Sequence, residues 1–536
     1  MMNDRRVELF DSTLRDGVQG EGISYSVSDK LRIAALLDSL EFDYIEAGNP
    51  GSNPKDMMFF QEIEKRKLQH ATLVAFGSTR RRGTDVCQDA NIKSLLASGT
   101  SCLCIFGKSW DFQVTDIIRT RLEENLDMIG DTISYLVAQG REVFFDAEHF
   151  FDGYVANRDY ALATLERART AGASRLILCE TRGGMMPDKV GRITGEVAKA
   201  FPDVRIGIHA HDDCGVAVAA SLMAVQAGAT QVQGTLLGFG ERCGNANLVT
   251  VASDLKFKMG YSCLSNKSYP KFFETCREVA EISNIRIPHQ QAFIGHSAFS
   301  HKGGMHIDGV RKNPVSFEHE KPESFGNCRH LLTSEVAGKA LLLQKIKAIV
   351  PGFDKQDPRV EELVVSLKRL EAAGYHYEGA EASFDLIIRK SLGLDKSYFR
   401  LVHYKTIGEQ VNGNNDDRQM HTAVIKVICA GRSAITAEEG AGPVNALDKA
   451  LRKVLEPFYP QLSGVHLSDY KVRVLDGVEA TASKVRVLIE STDGTRSWNT
   501  VGVSHDIIIA SWQALSDSIS WYLQTTGAEP AMIGEE

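Results

Sequence analysis

The segment "IGIHAHDDCG" at 206–215 sets two histidines two residues apart and follows them with two aspartates. In an extended strand, residues i and i+2 share a face, so His209 and His211 project together while Ile206, Ile208 and Ala210 take the other side. Two neutral imidazoles at the end of an apolar strand suit a divalent cation, provided that an oxygen ligand arrives from elsewhere. A single histidine is more often satisfied by local hydrogen bonds. Two on one face shift the balance towards a metal.

Two other segments can deliver the oxygen. "DSTLRDG" (11–17) carries Arg15 and Asp16, and "GFGERCGNANL" (238–248) carries Asn245. Alone, Asp16 reads as a loop or capping aspartate and Asn245 as a turn residue. Together with His209 and His211 they form a carboxylate, two imidazoles and a carbonyl. Such a mixed set leaves open positions and suits Mn²⁺ or Mg²⁺, with Co²⁺ or Zn²⁺ as alternatives.

Elements must bring these segments to one place. Eight β-rich runs alternate with helical patterns: 7–14, 44–48, 72–77, 102–107, 142–148, 175–180, 205–211 and 230–238. Eight βα units in about 240 residues is the arithmetic of a TIM barrel, whose sites sit at the carboxyl ends of the strands. An open doubly wound sheet is the rival, but no GxGxxG follows an early strand. Helices at "VSDKLRIAALLDSL", with Ser28 as expected cap, and at two stretches ending in Gly172 and Gly228 fit the barrel reading.

Bulk properties narrow the class. A chain of 536 residues predicts two to four domains. With 43% hydrophobic residues and a net charge of −8 spread along the chain, it offers no basic footprint for nucleic acid. The opening residues lack the apolar stretch of a signal peptide, and no run reaches membrane-spanning length. Ten scattered cysteines without a CxxC fit reduced thiols in a cytoplasmic protein.

"DSTLRDG", "HAHDDCG" and "GERCGNANL" occur in the order that resembles the DRE-TIM metallolyases, and within them the family of isopropylmalate, citramalate and homocitrate synthases. "EGISYSVSDKLRI", "YIEAGNPGSNPKD", "AFGSTRR" and "FDAEHFFDGY" resemble its citramalate branch more than the other two. The resemblance implies a metal-dependent acyltransferase. It would condense acetyl-CoA with pyruvate and hydrolyse the thioester to (R)-citramalate and CoA, on the pyruvate route to isoleucine. The alternatives within the family use 2-oxoisovalerate or 2-oxoglutarate. A lyase that cleaves an acyl-CoA and a catalytically silent amino acid sensor are more distant readings. The first fits poorly with the long second half and the second with an intact metal set.

By the same resemblance the metal ligands are Asp16, His209 and His211, with Asn245 nearby or coordinating. Arg15 stabilises developing negative charge, Gln19 and Thr181 help bind substrate, and Glu148 is assigned to proton transfer; from the residues alone Glu148 could equally orient a neighbour, because "DAEH" also offers Asp146 and His149. His306, in "AFSHKGGMHIDGV", belongs to the neighbouring subunit's site in relatives. Where relatives often carry a tyrosine, this chain has Phe317, whose ring donates neither a proton nor a hydrogen bond.

These readings divide the chain into a barrel at 1–275, helical linker subdomains at 276–397 and a C-terminal α+β domain at 398–536. The linker expectation rests on "KFFETCREVAEIS", "TSEVAGKALLLQKIKAI" and "RVEELVVSLKRLEAAG". A polar stretch, "GEQVNGNNDDRQ" (408–419), reads as a flexible joint. Beyond it, strands followed by a helix recur twice. The resemblance implies a homodimer and an isoleucine or leucine effector bound by this domain. Gly440 and Gly442 in "EEGAGPVNA" are the candidates for backbone donors at a helix N-terminus, with a tight strand-to-helix turn as the plainer reading.

Overall fold

In the computed structural model, eight parallel strands close into a barrel in sequence order. They are β1 Glu8–Asp11, β2 Tyr44–Glu46, β3 Thr72–Ser78, β4 Cys102–Lys108, β5 Glu142–Glu148, β6 Arg175–Glu180, β7 Arg205–Ala210 and β8 Gln231–Gly234. The structure describes residues 6–66, 68–331, 346–347, 349–350, 353, 357–377, 379–409, 420–475, 483–494 and 496–531.

The alternation along each strand sorts side chains into two layers. Leu103 and Ile105 of β4, and Leu176 and Leu178 of β6, pack outward under the helices. Their neighbours Cys102, Cys104, Ile177 and Cys179 join Phe10, Tyr44, Val74 and Phe144 in a separate cluster inside the barrel. Below this plug Arg175 is gripped by Glu8 and Glu142 and lies 4.5 Å from the centre of the Phe144 ring. The interior is therefore packed, and the amino end of the barrel is a charged seal.

Strands β1 and β8 stop well short of their β-rich runs, for local reasons. The Asp11 carboxylate accepts from the Thr13 backbone N–H and hydroxyl, so the chain turns after β1. At Gly234 a side chain would meet Ala246 O at 2.4 Å, because the 238–248 loop folds back against the end of β8. The expected helices at 158–172 and 216–228 are Arg158–Thr170 and Ala217–Gln226, and Gly172 and Gly228 follow them at φ 101° and 122°. The first barrel helix, Val27–Ser39, is capped by Ser26 and not by Ser28. Ser26 Oγ accepts from Asp29 N and the Asp29 carboxylate accepts from Ser26 N, a reciprocal box that Ser28 cannot form from inside the first turn.

The chain divides into two compact units, residues 1–300 with 313–330, and residues 301–312 with 331–536. The proposed 275/276 division falls inside the helix Phe272–Ile282, which packs on the barrel core through Phe272, Cys276 and Val279. In the second unit the helix Arg359–Ala372 forms as read, while most of "TSEVAGKALLLQKIKAI" lies outside the described residues. The strands Arg400–Glu409, Met420–Cys429 and Arg432–Gly440 form an antiparallel sheet followed by the helix Pro443–Leu455. His466–Val474, Val485–Thr492 and Ser497–Ser504 repeat the pattern, followed by Ile507–Thr525. One core containing Ile425, Leu451, Ile489, Trp498 and Ile519 unites the two halves. Glu409 pairs with Met420 in the antiparallel ladder, and most of the stretch read as a joint, residues 410–419, lies outside the described residues.

Replacing Ser26 by alanine removes the cap and lowers stability by about 1 kcal/mol. Ser28→Ala, a surface change within the turn, costs at most about 0.5 kcal/mol. Urea midpoints of the barrel transition check this, and equal losses at the two positions would refute the assignment.

Candidate functional site

The carboxyl ends of the strands open onto a cavity of about 250 Å³ whose lining includes Arg15, Asp16, Gln19, Glu148, Thr181, His209 and His211. At its floor, donor atoms of Asp16, His209 and His211 lie within 4.8 Å of one another, and all three residues are buried. His209 is the last-but-one residue of β7, and His211 follows the strand, bridged to Asn245. Ile206, Ile208 and Ala210 pack in the outer layer, as the strand period requires.

Each ligand candidate is held by a neighbour. Asn245 Nδ2 donates to Asp16 Oδ1 at 2.8 Å and to Phe239 O at 3.0 Å. Its own Oδ1, like His211 Nδ1, is buried without a hydrogen-bond partner. Gln233 Nε2 donates to Asp146 Oδ1 at 3.3 Å, which turns Gln233 Oε1 towards His209 Nδ1 at 2.9 Å. That nitrogen must then carry the proton, and the Nε2 lone pair faces Asp16 Oδ2, 3.7 Å away. An acceptor-rich pocket with two lone pairs and a carboxylate oriented in this way fits a divalent cation.

Arg15 supplies the counter-charge. Its Nε donates to Glu46 at 2.7 Å, its Nη1 to Asp16 at 2.8 Å, and its guanidinium stacks 3.9 Å from the centre of the Phe76 ring. Burial alone would raise the Asp16 carboxyl, but Arg15, and then His209 and His211, outweigh it and hold it at about 2. Burial, reinforced by His209, pushes His211 down to about 4, which preserves its lone pair at neutral pH. Burial, with Glu46 adding repulsion, raises Asp146 to about 6.

The remaining candidates are distributed unevenly. Glu148 ends β5 and pairs with Lys108 at 2.5 Å. Thr181 Oγ1 accepts from His149 N at 2.8 Å, which leaves its hydroxyl hydrogen to donate. Phe76 and Phe106 line the cavity as a stacked pair, 5.1 Å apart, whereas Phe144 fills the barrel interior and Phe145 the outer layer. His306 lies in the second unit, on the helix Gly304–Lys312, and is exposed there. Phe317, also exposed, belongs to the first unit. Gly440 ends a strand and Gly442 caps the helix Pro443–Leu455; a side chain at Gly440 would meet Ala446 N at 2.4 Å.

Three residues escaped the sequence reading. Glu46 is a charge within the apolar "YIEAG", and Gln233 alternates with Gln231 in "TQVQG"; polar groups in a strand buried on both faces were the available signal. Arg242 gave none. It forks onto Asp213 at 2.7 and 3.0 Å and donates to Thr181 O at 2.9 Å, tying together the loops after β6, β7 and β8.

Known proteins share this architecture throughout. An HMGL-like family model matches residues 6–274, a homocitrate synthase post-HMGL domain-like model matches 293–374, and a LeuA allosteric (dimerisation) domain model matches 378–523. An (R)-citramalate synthase of Aquifex aeolicus is 47% identical over 518 residues, covering 97% of this chain and 98% of that one. The chain belongs to the (R)-citramalate synthase family. A second member, from Geobacter sulfurreducens, is 47% identical over 517 residues, 96% of this chain and 97% of its own. A probable 2-isopropylmalate synthase of Methanopyrus kandleri is more distant, 30% identical over 509 residues, 95% of this chain and 97% of its own. Family members are acyltransferases, as the motifs imply. Among the described residues no helix is long and apolar enough to cross a membrane.

Gln233→Leu frees the His209 ring and removes one donor from Asp146. Loss of such a support weakens a metal site by about 10–100-fold. Mn²⁺ titration followed by electron paramagnetic resonance measures this, and unchanged affinity would remove Gln233 from the site.

Proposed function

We propose that the chain condenses acetyl-CoA with pyruvate and hydrolyses the resulting thioester, releasing (R)-citramalate and CoA for isoleucine synthesis. The observation that carries this reading is the convergence of Asp16, His209 and His211 beside Arg15 at the barrel mouth. A divalent cation there, Mn²⁺ or Mg²⁺ before Co²⁺ or Zn²⁺, supplies Lewis acidity to the keto group of the 2-oxo acid. Asn245 Oδ1, buried and without a partner, is offered to the same cation.

The protein groups meet the other demands of the reaction. Arg15 spends two donors on Glu46 and Asp16, and its remaining N–H groups serve the oxygen on which negative charge develops. Gln19 and Thr181 hold the oxo acid. Glu148, held by Lys108, removes a proton from the acetyl methyl group. The stacked Phe76 and Phe106 limit the space beside the keto carbon, which suits a methyl substituent and disfavours the larger groups of 2-oxoisovalerate or 2-oxoglutarate.

The active form is a cytoplasmic homodimer in which His306 of each chain serves the other barrel. Its C-terminal domain binds isoleucine, or leucine, with the Gly440–Gly442 turn receiving the carboxylate. The match to an allosteric dimerisation domain supports the regulatory part.

Thiol release from acetyl-CoA tests the reading with purified protein and a panel of oxo acids. Pyruvate is the preferred acceptor by about tenfold or more. Arg15→Gln lowers kcat by about 10²–10³, the usual cost of one donor to a developing oxyanion. Isoleucine or leucine reduces the rate. Preference for another oxo acid overturns the substrate, and indifference to both amino acids overturns the regulatory role.

A further inference from the structure

Among the described residues of the first unit, histidine and cysteine side chains also approach one another away from the barrel mouth. The loop 289–300 and the segment 327–330 bring together His289, His296, Cys328 and His330. Cys328 Sγ lies 3.2 Å from His330 Nε2. The His296 and His330 rings lie 4.3 Å apart, and those of His289 and His296 5.8 Å apart. We propose that Cys328, His296 and His330 form a second metal site, selective for a thiolate-seeking ion of the Zn²⁺ type and separate from the oxygen-containing set in the barrel.

The backbone beneath these side chains is fixed. The buried Asn327 amide donates to Phe293 O and Gly295 O, at 3.0 Å each, clamping one segment to the other. Ser297 N donates to His289 O at 2.8 Å and His330 N donates to Phe299 O at 3.1 Å. A side chain at Gly295 would meet His289 O at 2.3 Å, so the turn that presents His296 closes too tightly for any other residue.

Ligand chemistry selects the ion. A tetrahedral zinc site with one thiolate and imidazole nitrogens places sulfur and nitrogen about 3.5 Å apart. The Cys328–His330 pair is already near that separation; the third donor does not converge on it as the side chains stand, so the site requires the exposed His296 side chain to turn towards that pair on binding. His289 Nε2 accepts from Arg286 at 3.1 Å, so the fourth position is left to water or to a reoriented His289. Sulfur distinguishes this site from the mouth, where the carboxylate of Asp16 suits harder ions. Bound metal would staple the 289–300 loop to the segment at 327–330.

Cobalt reports the site directly, because only a thiolate ligand gives Co²⁺ a sulfur-to-metal charge-transfer absorption in the near ultraviolet. The full-length, reduced, metal-free protein should develop this band on addition of one to two equivalents of Co²⁺, and Zn²⁺ should bleach it. Cys328→Ser should abolish the band, and His296→Ala and His330→Ala should each weaken it. His209→Ala, which disables the barrel mouth, should leave it intact. Absence of the band, or its persistence in Cys328→Ser through another exposed thiol such as Cys87, Cys214 or Cys243, would overturn the proposal.

Discussion

One guanidinium makes the site possible. Asp16 and Glu46 are both buried at the top of the barrel, and two carboxylates stripped of water are costly unless a cation shares the space. Arg15 reaches both through different nitrogens. Its charge keeps Asp16 ionised against burial, and an ionised Asp16 gives the two imidazoles beside it the negative partner that a cation would need. The same guanidinium lies on Phe76, which stacks on Phe106, so the electrostatics and the shape of the cavity wall depend on one side chain.

The barrel serves that arrangement by leaving it a single place to stand. Phe10, Phe144 and Ile177 fill the interior, and Arg175 with its acidic partners closes the amino end. The polar side chains above the plug therefore collect at the carboxyl end. There Gln233 passes the demand of Asp146 for a donor on to His209, which sets the ring's tautomer. His149 adopts a left-handed conformation, φ 60°, directly after Glu148. That conformation is uncommon outside glycine, and it ends β5 so that the carboxylate sits at the rim while Thr181 accepts from the turning backbone.

The C-terminal domain solves a different problem. A three-stranded sheet with one helix cannot bury both of its faces, and two such units pooling their apolar residues can. Duplication thus accounts for the shared core of Ile425, Leu451, Ile489 and Ile519. It also places the Gly440–Gly442 turn at the start of a helix.

Much of this was legible in the amino-acid order. Strand and helix periodicity depends on near neighbours, so the eightfold alternation, the glycine stops at 172 and 228, the opposed faces of His209 and Ile208 and the recurring strands of the C-terminal domain could be read directly. The motif order brought Asp16, His209, His211 and Asn245 to one rim. Folding alone decided what depends on approach across the chain: Arg15 choosing both Glu46 and Asp16, Gln233 orienting His209, and Arg242 lacing three loops. It also moved the helix cap from Ser28 to Ser26. A side chain's local pattern says which way it points. Which group it meets there is set by strands 30 to 230 residues away, and only closure of the barrel brings them within hydrogen-bond range.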